Sequence, residues 1–118
     1  MRGTVGLPVE LLRNLPDSEL EILSWDGATQ VLAVRVSKEI RPEVGVVRFI
    51  GVTHVNLPAR LGISGIETGD VSDLPPDYLR LYRPGDQCLD PGERVFLIHE
   101  SWGAEYFVLA REVEYKVC

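Results

Sequence analysis

The segment that most constrains the fold of this chain is residues 44–58. It reads VGVVRFIGVTHVNLP, is rich in β-branched residues, has no proline before Pro58, and carries an isolated Gly51. β-branched residues favour strands, and a lone glycine inside a strand pattern is typical of a bulge. Because a bulge adds one residue, it can return apolar side chains to the core face where strict alternation would turn them outward. The segment therefore predicts a long, bent central strand in which Phe49 and Val55 both face the core.

The rest of the chain predicts more short strands. They are expected at residues 19–25, 30–37, 60–66, 93–100 and 105–117, and the pair Asp26-Gly27 predicts a hairpin because glycine accepts a positive φ. Leucines at helical spacing predict a short N-terminal helix over residues 7–15. Tyr78, Leu79 and Tyr82, at spacings of three and four, predict a short helical turn in the 72–83 region. The predicted fold is mainly β: one domain over residues 1–118, forming an antiparallel β-sandwich or partly open barrel of about five to seven strands.

Some side chains are assigned to the core or to loops on the same grounds. Trp25 borders the hairpin turn and is expected in the core. The segment RLGISGI at residues 60–66 is expected to be short or irregular because of its glycines, and residues 67–92 are expected to form the least regular region. One face of the last strand is expected to hold Phe107, Leu109, Val113, Tyr115 and Val117.

Length and composition are ordinary for a globular chain. The 118 residues are 45% hydrophobic and 25% charged, so disorder is not expected. No apolar run approaches about 18 residues, and the first residues lack the apolar centre of a signal peptide, which makes the cytoplasm the expected location. Cys88 and Cys118 are expected to be reduced thiols, and a disulfide that ties the C-terminus to a loop is the alternative.

The negative charge is concentrated in one segment. The chain has a net charge of -6, and residues 67–105 hold nine acidic and three basic side chains, which accounts for the whole excess. A field of this sign disfavours nucleic acid and anionic membrane as partners and favours a basic protein. The alternative is a solvated loop that its carboxylates keep soluble.

The residues that can do chemistry do not form a known catalytic or metal-binding motif. His54 and His99 each lie inside a predicted strand, and the chain contains no CxxC, HxH or HExxH. Ser101 lacks the GxSxG turn, while His99 and Glu100, as strand neighbours, point to opposite faces. The glycines of GISGIETG are not followed by a lysine, which argues against a phosphate loop. We therefore expect no catalytic activity, no metal and no cofactor, unless both histidines meet a carboxylate in one cleft.

Aromatic and acidic side chains in the same region predict a protein-binding surface. Trp102 stands in a Ser-Trp-Gly connection, where a large ring is hard to bury. The alternative is a ring folded over the barrel end. Tryptophan and tyrosine surrounded by charge are typical of binding hot spots. The candidate partner-binding residues are Asp73, Asp77, Tyr78, Tyr82, Asp86, Asp90, Glu93, Trp102 and Glu105. We expect neutralisation of the four aspartates of this set to weaken partner binding without unfolding the domain.

Two other kinds of binding are open at this point. In the first, a barrel mouth near Trp102 and Tyr106 holds a small apolar or sugar-like ligand. In the second, an exposed edge strand pairs with another subunit. A deep pocket lined by the two aromatic rings would favour the small ligand over a protein partner.

The first half of the chain resembles small bacterial domains of unassigned function, some of which are similar to immunity proteins of polymorphic toxin systems. The shared elements are Asp17-Ser18 before an acidic strand, Trp25-Asp26 at the turn, and Phe49-x-Gly51-Val52 in the central strand. They are structural elements and bring no catalytic residue with them. The resemblance implies an acidic, non-enzymatic protein that binds one cognate toxin tightly.

Overall fold

The residues on either side of Gly51 form two strands that meet at a bend. The computed structural model describes residues 2–4, 6–38, 41–82 and 89–117, without the side chains of residues 41–43 and 82. Gly51 has a φ of 69°, in the left-handed region that glycine tolerates best. The Arg111 amide donates to the Ile50 carbonyl at 2.9 Å and the Thr53 amide to the Leu109 carbonyl at 2.9 Å. These bonds attach the predicted bend to the neighbouring chain. The two strands that the bend separates are not central, because one is an edge strand of the sheet and the other lies next to the opposite edge.

The described residues form a mainly β structure with short helices, which confirms the predicted fold class. The helices are α1 (Val9–Asn14), a 3-10 turn (Val71–Asp73) and α2 (Pro76–Tyr82). The strands are β1 (Ser18–Asp26), β2 (Val31–Lys38), β3 (Arg41–Ile50), β4 (His54–Asn56), β5 (Arg60–Gly69), β6 (Arg94–Glu100), β7 (Glu105–Ala110) and β8 (Glu112–Val117). All pairings between these strands are antiparallel.

The strands form one sheet whose two ends are brought together by the chain itself. The order is β4-β7-β6-β5-β1-β2-β3-β8. β3 and β8 are the last two strands at one end of the sheet. The strands next to them in sequence, β4 and β7, are the last two at the other end. Because only a few residues separate β3 from β4 and β7 from β8, the sheet must curl into a partly open barrel. It has more strands than predicted because two predicted strands are each divided in two, at Gly51 and at Arg111.

Two apolar clusters lie on opposite sides of β6 and β7. The inner cluster fills the curled sheet and includes Phe49 and Phe96, while Val55 packs against its margin. The outer cluster lies beneath α2, and its buried members are Leu74, Tyr78, Val95, Leu97, Phe107 and Leu109. β6 and β7 are therefore apolar on both faces, which explains why their sequences show continuous apolar runs instead of alternation.

The last predicted strand does not keep one face toward the core. Phe107 and Leu109 belong to the outer cluster, whereas Val113 and Tyr115 pack against the inner one, and Val117 is 50% exposed. The prediction was wrong because the chain bends at Arg111, and the bend resets which side chains face inward.

The first hairpin forms where it was predicted, with a different residue in the left-handed conformation. Gln30, with a φ of 58°, takes that conformation in place of Gly27. The Asp26 carboxylate accepts hydrogen bonds from the amides of Thr29, at 3.3 Å, and Ala28, at 2.9 Å, which lower its pKa. Trp25 is 49% exposed instead of buried. β5 pairs only with the first four residues of β1, so among the described residues β5 does not continue alongside Trp25.

The outcome for the remaining predicted elements is mixed. α1 forms as predicted and buries Leu7, Leu11 and Leu15 against the inner cluster, together with its flanking turns. β5 is longer than predicted, at ten residues, because it pairs with β1 at its start and with β6 over the rest of its length. Cys88 and Cys118 lie outside the described residues. Within the described part of the chain, no helix is long and apolar enough to cross a membrane.

Replacing Gly51 with alanine is expected to destabilise the fold by roughly 1–3 kcal/mol, because a side chain in the left-handed region is strained. An added Cβ would also lie 2.9 Å from Arg111 Cγ. Gly27→Ala is the matched control, since its Cβ would meet nothing within 4 Å and its φ is not positive. Urea denaturation of both variants measures the difference, and equal stability would contradict the role given to the bend.

Charged side chains connect the outer faces of β1, β2 and β5. Arg35 and Arg60 both form ion pairs with Glu21, and Arg60 Nε lies 3.1 Å from Glu19 Oε1. The hydrogen bond from Arg60 holds the pKa of Glu21 below its ordinary value, and the positive charge of Arg35 acts in the same direction. The ionised form of Glu21 is thus favoured by folding.

Replacing Glu21 with glutamine is expected to weaken the dependence of stability on acid pH. Because its folded pKa is lowered, Glu21 contributes stability fully above its ordinary pKa of 4.5 and loses that contribution as the pH falls through the lower folded value. The stability gap between wild type and Glu21→Gln should therefore be larger at about pH 7 than at about pH 3. Urea denaturation at both pH values provides the measurement, and Glu10→Gln on the exposed face of α1 is the control. An equal gap at both pH values would contradict this assignment.

Candidate functional site

Trp102 lies at the tip of the β6–β7 hairpin and is 92% exposed. The turn beneath it is held by backbone hydrogen bonds from Glu100 to Ala104 at 2.8 Å and from Gly103 to Glu100 at 3.0 Å. A further bond from the Ser101 amide to the Gly62 carbonyl, at 3.0 Å, ties the turn to β5. The indole is therefore presented to solvent by an ordered turn.

The exposure of Trp102 distinguishes it from the other large apolar side chains. Leu81 is 72% exposed and Val9 66%, and no other large apolar side chain in the described residues is as accessible as Trp102. A ring in this position contributes little to the core. Exposed indoles supply large, rigid contact areas in protein interfaces, so Trp102 is the strongest candidate for a functional contact.

An open cleft of about 700 Å³ lies beside Trp102. Its walls come from the start of β1, the end of β2 and the hairpin turn. The polar side chains that line it are Asp17, Ser18, Glu19, Ser37, Lys38 and Ser101. The Ser18 hydroxyl donates to the Asn14 carbonyl, so it already serves the fold. The cleft offers two carboxylates, one ammonium group and hydroxyls next to an aromatic ring.

A second polar group lies on the outer face of the same hairpin, around Glu105. The Arg2 guanidinium donates to both Glu105 oxygens, at 2.6 and 3.1 Å. His99 Nδ1 lies 3.3 Å from Glu105 Oε2, and His99 Nε2 lies 2.6 Å from Glu67 Oε1. Both ring nitrogens of His99 are thus directed at carboxylates.

Arg2 also joins this group to the 3-10 turn. Its Nε donates to Asp73 Oδ1 at 3.0 Å, while Asp73 Oδ2 accepts the Asp70 amide at 2.8 Å. The hydrogen bond to Glu105, followed by the bond to Asp73, raises the pKa of Arg2 above its ordinary value. Asp73 and Glu105 are therefore already paired with Arg2 within the protein. Fewer carboxylates are available to a partner than the count of acidic residues suggested.

The other predicted binding residues are spread over different environments. Asp77 is exposed and pairs with Arg80, one turn along α2. Glu93 is buried, where it accepts hydrogen bonds from the Thr53 hydroxyl and, at 3.1 Å, from the Asp90 amide. Asp90 itself is exposed. Asp86 and the side chain of Tyr82 lie outside the described part of the structure.

Tyr78 packs inside the fold instead of facing a partner. It is 7% exposed, and its ring lies 4.6 Å from the His54 ring and 5.1 Å from the Phe107 ring. The helical spacing predicted α2, but it did not reveal that the outer faces of β6 and β7 are apolar. Those faces bury Tyr78.

The two histidines do not share a site. His54 stacks on Phe107 at 5.4 Å and pairs across the sheet with Leu109, whereas His99 pairs with Glu105. Their partners are four residues apart on β7, which corresponds to roughly 13 Å along a strand. No group of three or more potential metal ligands is present among the described residues.

The sequence did not predict that Arg2 joins the polar group around Glu105, or that Asp17 and Lys38 line the cleft beside Trp102. Arg2 contacts side chains 71 and 103 positions away, and nothing in the local pattern indicates such a pairing. Asp17 belongs to the first resemblance element, and its φ of 61° places it in the left-handed region that non-glycine residues rarely adopt.

Comparison with protein-family models, with curated proteins and with solved structures found no match.

Asp73→Asn is expected to destabilise the protein by about 1 kcal/mol, because it weakens both the 3-10 turn cap and the contact with Arg2. Asp77→Asn removes the same charge from an exposed pair on α2 and should cost less than about 0.5 kcal/mol. Thermal denaturation of the two variants makes the comparison. Both variants are still expected to fold, and equal melting temperatures would contradict the structural role given to Asp73.

Proposed function

We propose that this protein is a non-enzymatic protein-binding domain that contacts a basic partner through the Trp102 surface. We define the Trp102 surface as Trp102 with the cleft residues Asp17, Glu19, Lys38 and Ser101. The observation that carries the proposal is the 92% exposure of Trp102 on an ordered turn. The backbone that carries the indole is already ordered, so it loses little conformational freedom on binding, which is typical of an interface anchor.

The charge around Trp102 supports a basic partner. Asp17 and Glu19 line the cleft beside the ring, and Glu19 also lies 3.1 Å from Arg60 Nε. Carboxylates near an indole suit an arginine or lysine, because the cation can contact the ring face while it pairs with a carboxylate. The net charge of -6 would further increase the rate of encounter with a positive protein.

The narrower form of the proposal is that the protein is an immunity-like inhibitor of a basic toxin. It is supported by the resemblance at Asp17-Ser18, Trp25-Asp26 and Phe49-x-Gly51-Val52. Asp17 and Ser18 line the cleft beside Trp102, so one resemblance element adjoins the candidate surface. The non-enzymatic part is supported by the separation of the two histidines, which pair with residues four positions apart on β7 and do not meet in one cleft.

A second candidate function is the binding of a small polar ligand in the cleft. The observation that favours it is the cleft volume of about 700 Å³, which falls within the range of small-molecule sites. Its open form and the position of Trp102 at its rim suit a protruding side chain of a protein better than an enclosed ligand. The experiment below separates the two.

Trp102→Ala is expected to weaken partner binding by about 2 kcal/mol or more, roughly thirtyfold, as is typical of a hot-spot tryptophan. The partner is first captured from the native host at low salt and identified, and its affinity for the purified domain is then measured by calorimetry. Trp25→Ala, which removes a half-exposed indole from the first hairpin, is the matched control and should bind like wild type.

A second variant tests how much charge contributes to partner binding. Asp17→Asn combined with Glu19→Gln should slow association and reduce the salt dependence of binding. Unchanged affinity in Trp102→Ala would contradict the proposed surface, and unchanged association in the double variant would contradict the basic partner. If no protein is captured and sugars or small polar solutes quench Trp102 fluorescence, the second function is favoured.

A further inference from the structure

Residues 2–4 lie against the sheet as a short extended segment. The Gly3 amide donates to the Thr68 carbonyl at 3.0 Å, and the Thr68 amide donates to the Gly3 carbonyl at 2.7 Å. The Thr68 hydroxyl donates to the same carbonyl at 3.2 Å. This single antiparallel bridge connects the segment to the middle of the barrel wall.

The bridge occupies a part of β5 that β1 leaves uncovered. β1 pairs with β5 only as far as Ile63, and β6 pairs with the other side of β5 through Gly69. Among the described residues, Gly3 is the residue that pairs with the remaining edge at Thr68. An edge of this kind can accept an extended peptide through backbone hydrogen bonds.

Next to this edge, the side chain of Arg2 occupies a site suited to a guanidinium group. Glu105 receives two hydrogen bonds from the planar fork of Arg2, and Asp73 receives a third from its Nε. A lysine ammonium cannot reproduce this three-bond geometry, so the site favours arginine. The Arg2 side chain is still 39% exposed and that of Glu105 33%, so solvent reaches the contact.

We propose that residues 2–4 are a displaceable strap over an arginine-binding site, and that an extended, arginine-containing segment of the partner takes the place of Arg2 and Gly3. The inference rests on the proposed function, because it specifies how the basic partner is recognised. One bridge and solvent-exposed ion pairs hold the strap weakly, which allows exchange. The apparent affinity for the partner equals the intrinsic affinity multiplied by the fraction of molecules in which the strap leaves the site uncovered.

The position of the site agrees with a partner that also contacts Trp102. Glu105 is the first residue of β7, three positions after Trp102 in the same hairpin. The indole and the guanidinium site therefore lie at one end of one hairpin. A partner segment paired with the edge at Thr68 can place an arginine at Glu105 while a neighbouring part of its surface covers the indole.

The test uses the full chain and a defined probe, the peptide acetyl-Arg-Gly-Thr-amide, titrated by NMR at the amides of Thr68 and Glu105. Arg2→Ala is expected to bind the probe about fivefold more tightly than wild type, because the competing side chain is removed. Arg13→Ala, which removes the same charge from the exposed face of α1, is the matched control and should behave like wild type. The lysine analogue of the probe should bind more weakly than the arginine form.

A second variant keeps the test informative if Arg2→Ala disturbs the fold. Arg2→Lys retains the positive charge but loses the fork, and it should also bind the probe more tightly than wild type. Adding Glu105→Gln to either variant should abolish the gain. Equal probe affinity in wild type and both Arg2 variants, or a gain that survives Glu105→Gln, would overturn the strap. The peptide assay does not contain the partner, so a negative result would overturn the strap without testing the proposed function. The binding measurement on Trp102→Ala tests that function separately.

Discussion

The bend shared by two neighbouring chain segments is the constraint on which the rest of the structure depends. At Gly51 and Arg111 the paired chains change direction together, and backbone hydrogen bonds across the bend keep them in register. Without this corner, the ends of the sheet would not be brought together and the inner cluster would be open to water. A glycine at one of the two positions relieves the strain that a left-handed conformation would impose on any other residue. The curl of the sheet is therefore set by local backbone geometry as well as by burial of apolar surface.

The corner also shows how much of the fold could be predicted from the sequence. Gly51 marked the first bend because glycine interrupts a strand pattern visibly, whereas Arg111 gives no such signal, and the faces of the last strand were therefore assigned wrongly. Trp25 was assigned to the core because its own hairpin was readable, but its exposure depends on where β5 stops pairing with β1. Local geometry was thus predictable, and the properties that depend on the register between distant strands were not.

The same distinction applies to the candidate site. Trp102 was recognisable because a serine and a glycine flank it in a short connection, and a tight turn cannot bury a large ring. Arg2 was not recognisable, because its partners Asp73 and Glu105 are distant in sequence and are brought to it by the packing of the 3-10 turn and β7. The count of carboxylates was correct, but a count does not reveal which of them are neutralised within the fold.

Burial of β6 and β7 on both faces orders the hairpin that carries Trp102, which favours binding at its tip. Phe96 and Val108 face the inner cluster while Leu97 and Phe107 face the outer one, so both strands are held from two directions. An anchor on a mobile loop would lose conformational entropy when a partner ordered it, and that loss would subtract from the affinity. Trp102 stands on a hairpin that folding has already ordered, so more of the free energy of burying its indole remains available for binding. The outer cluster beneath α2 thus supports the proposed contact without touching the partner.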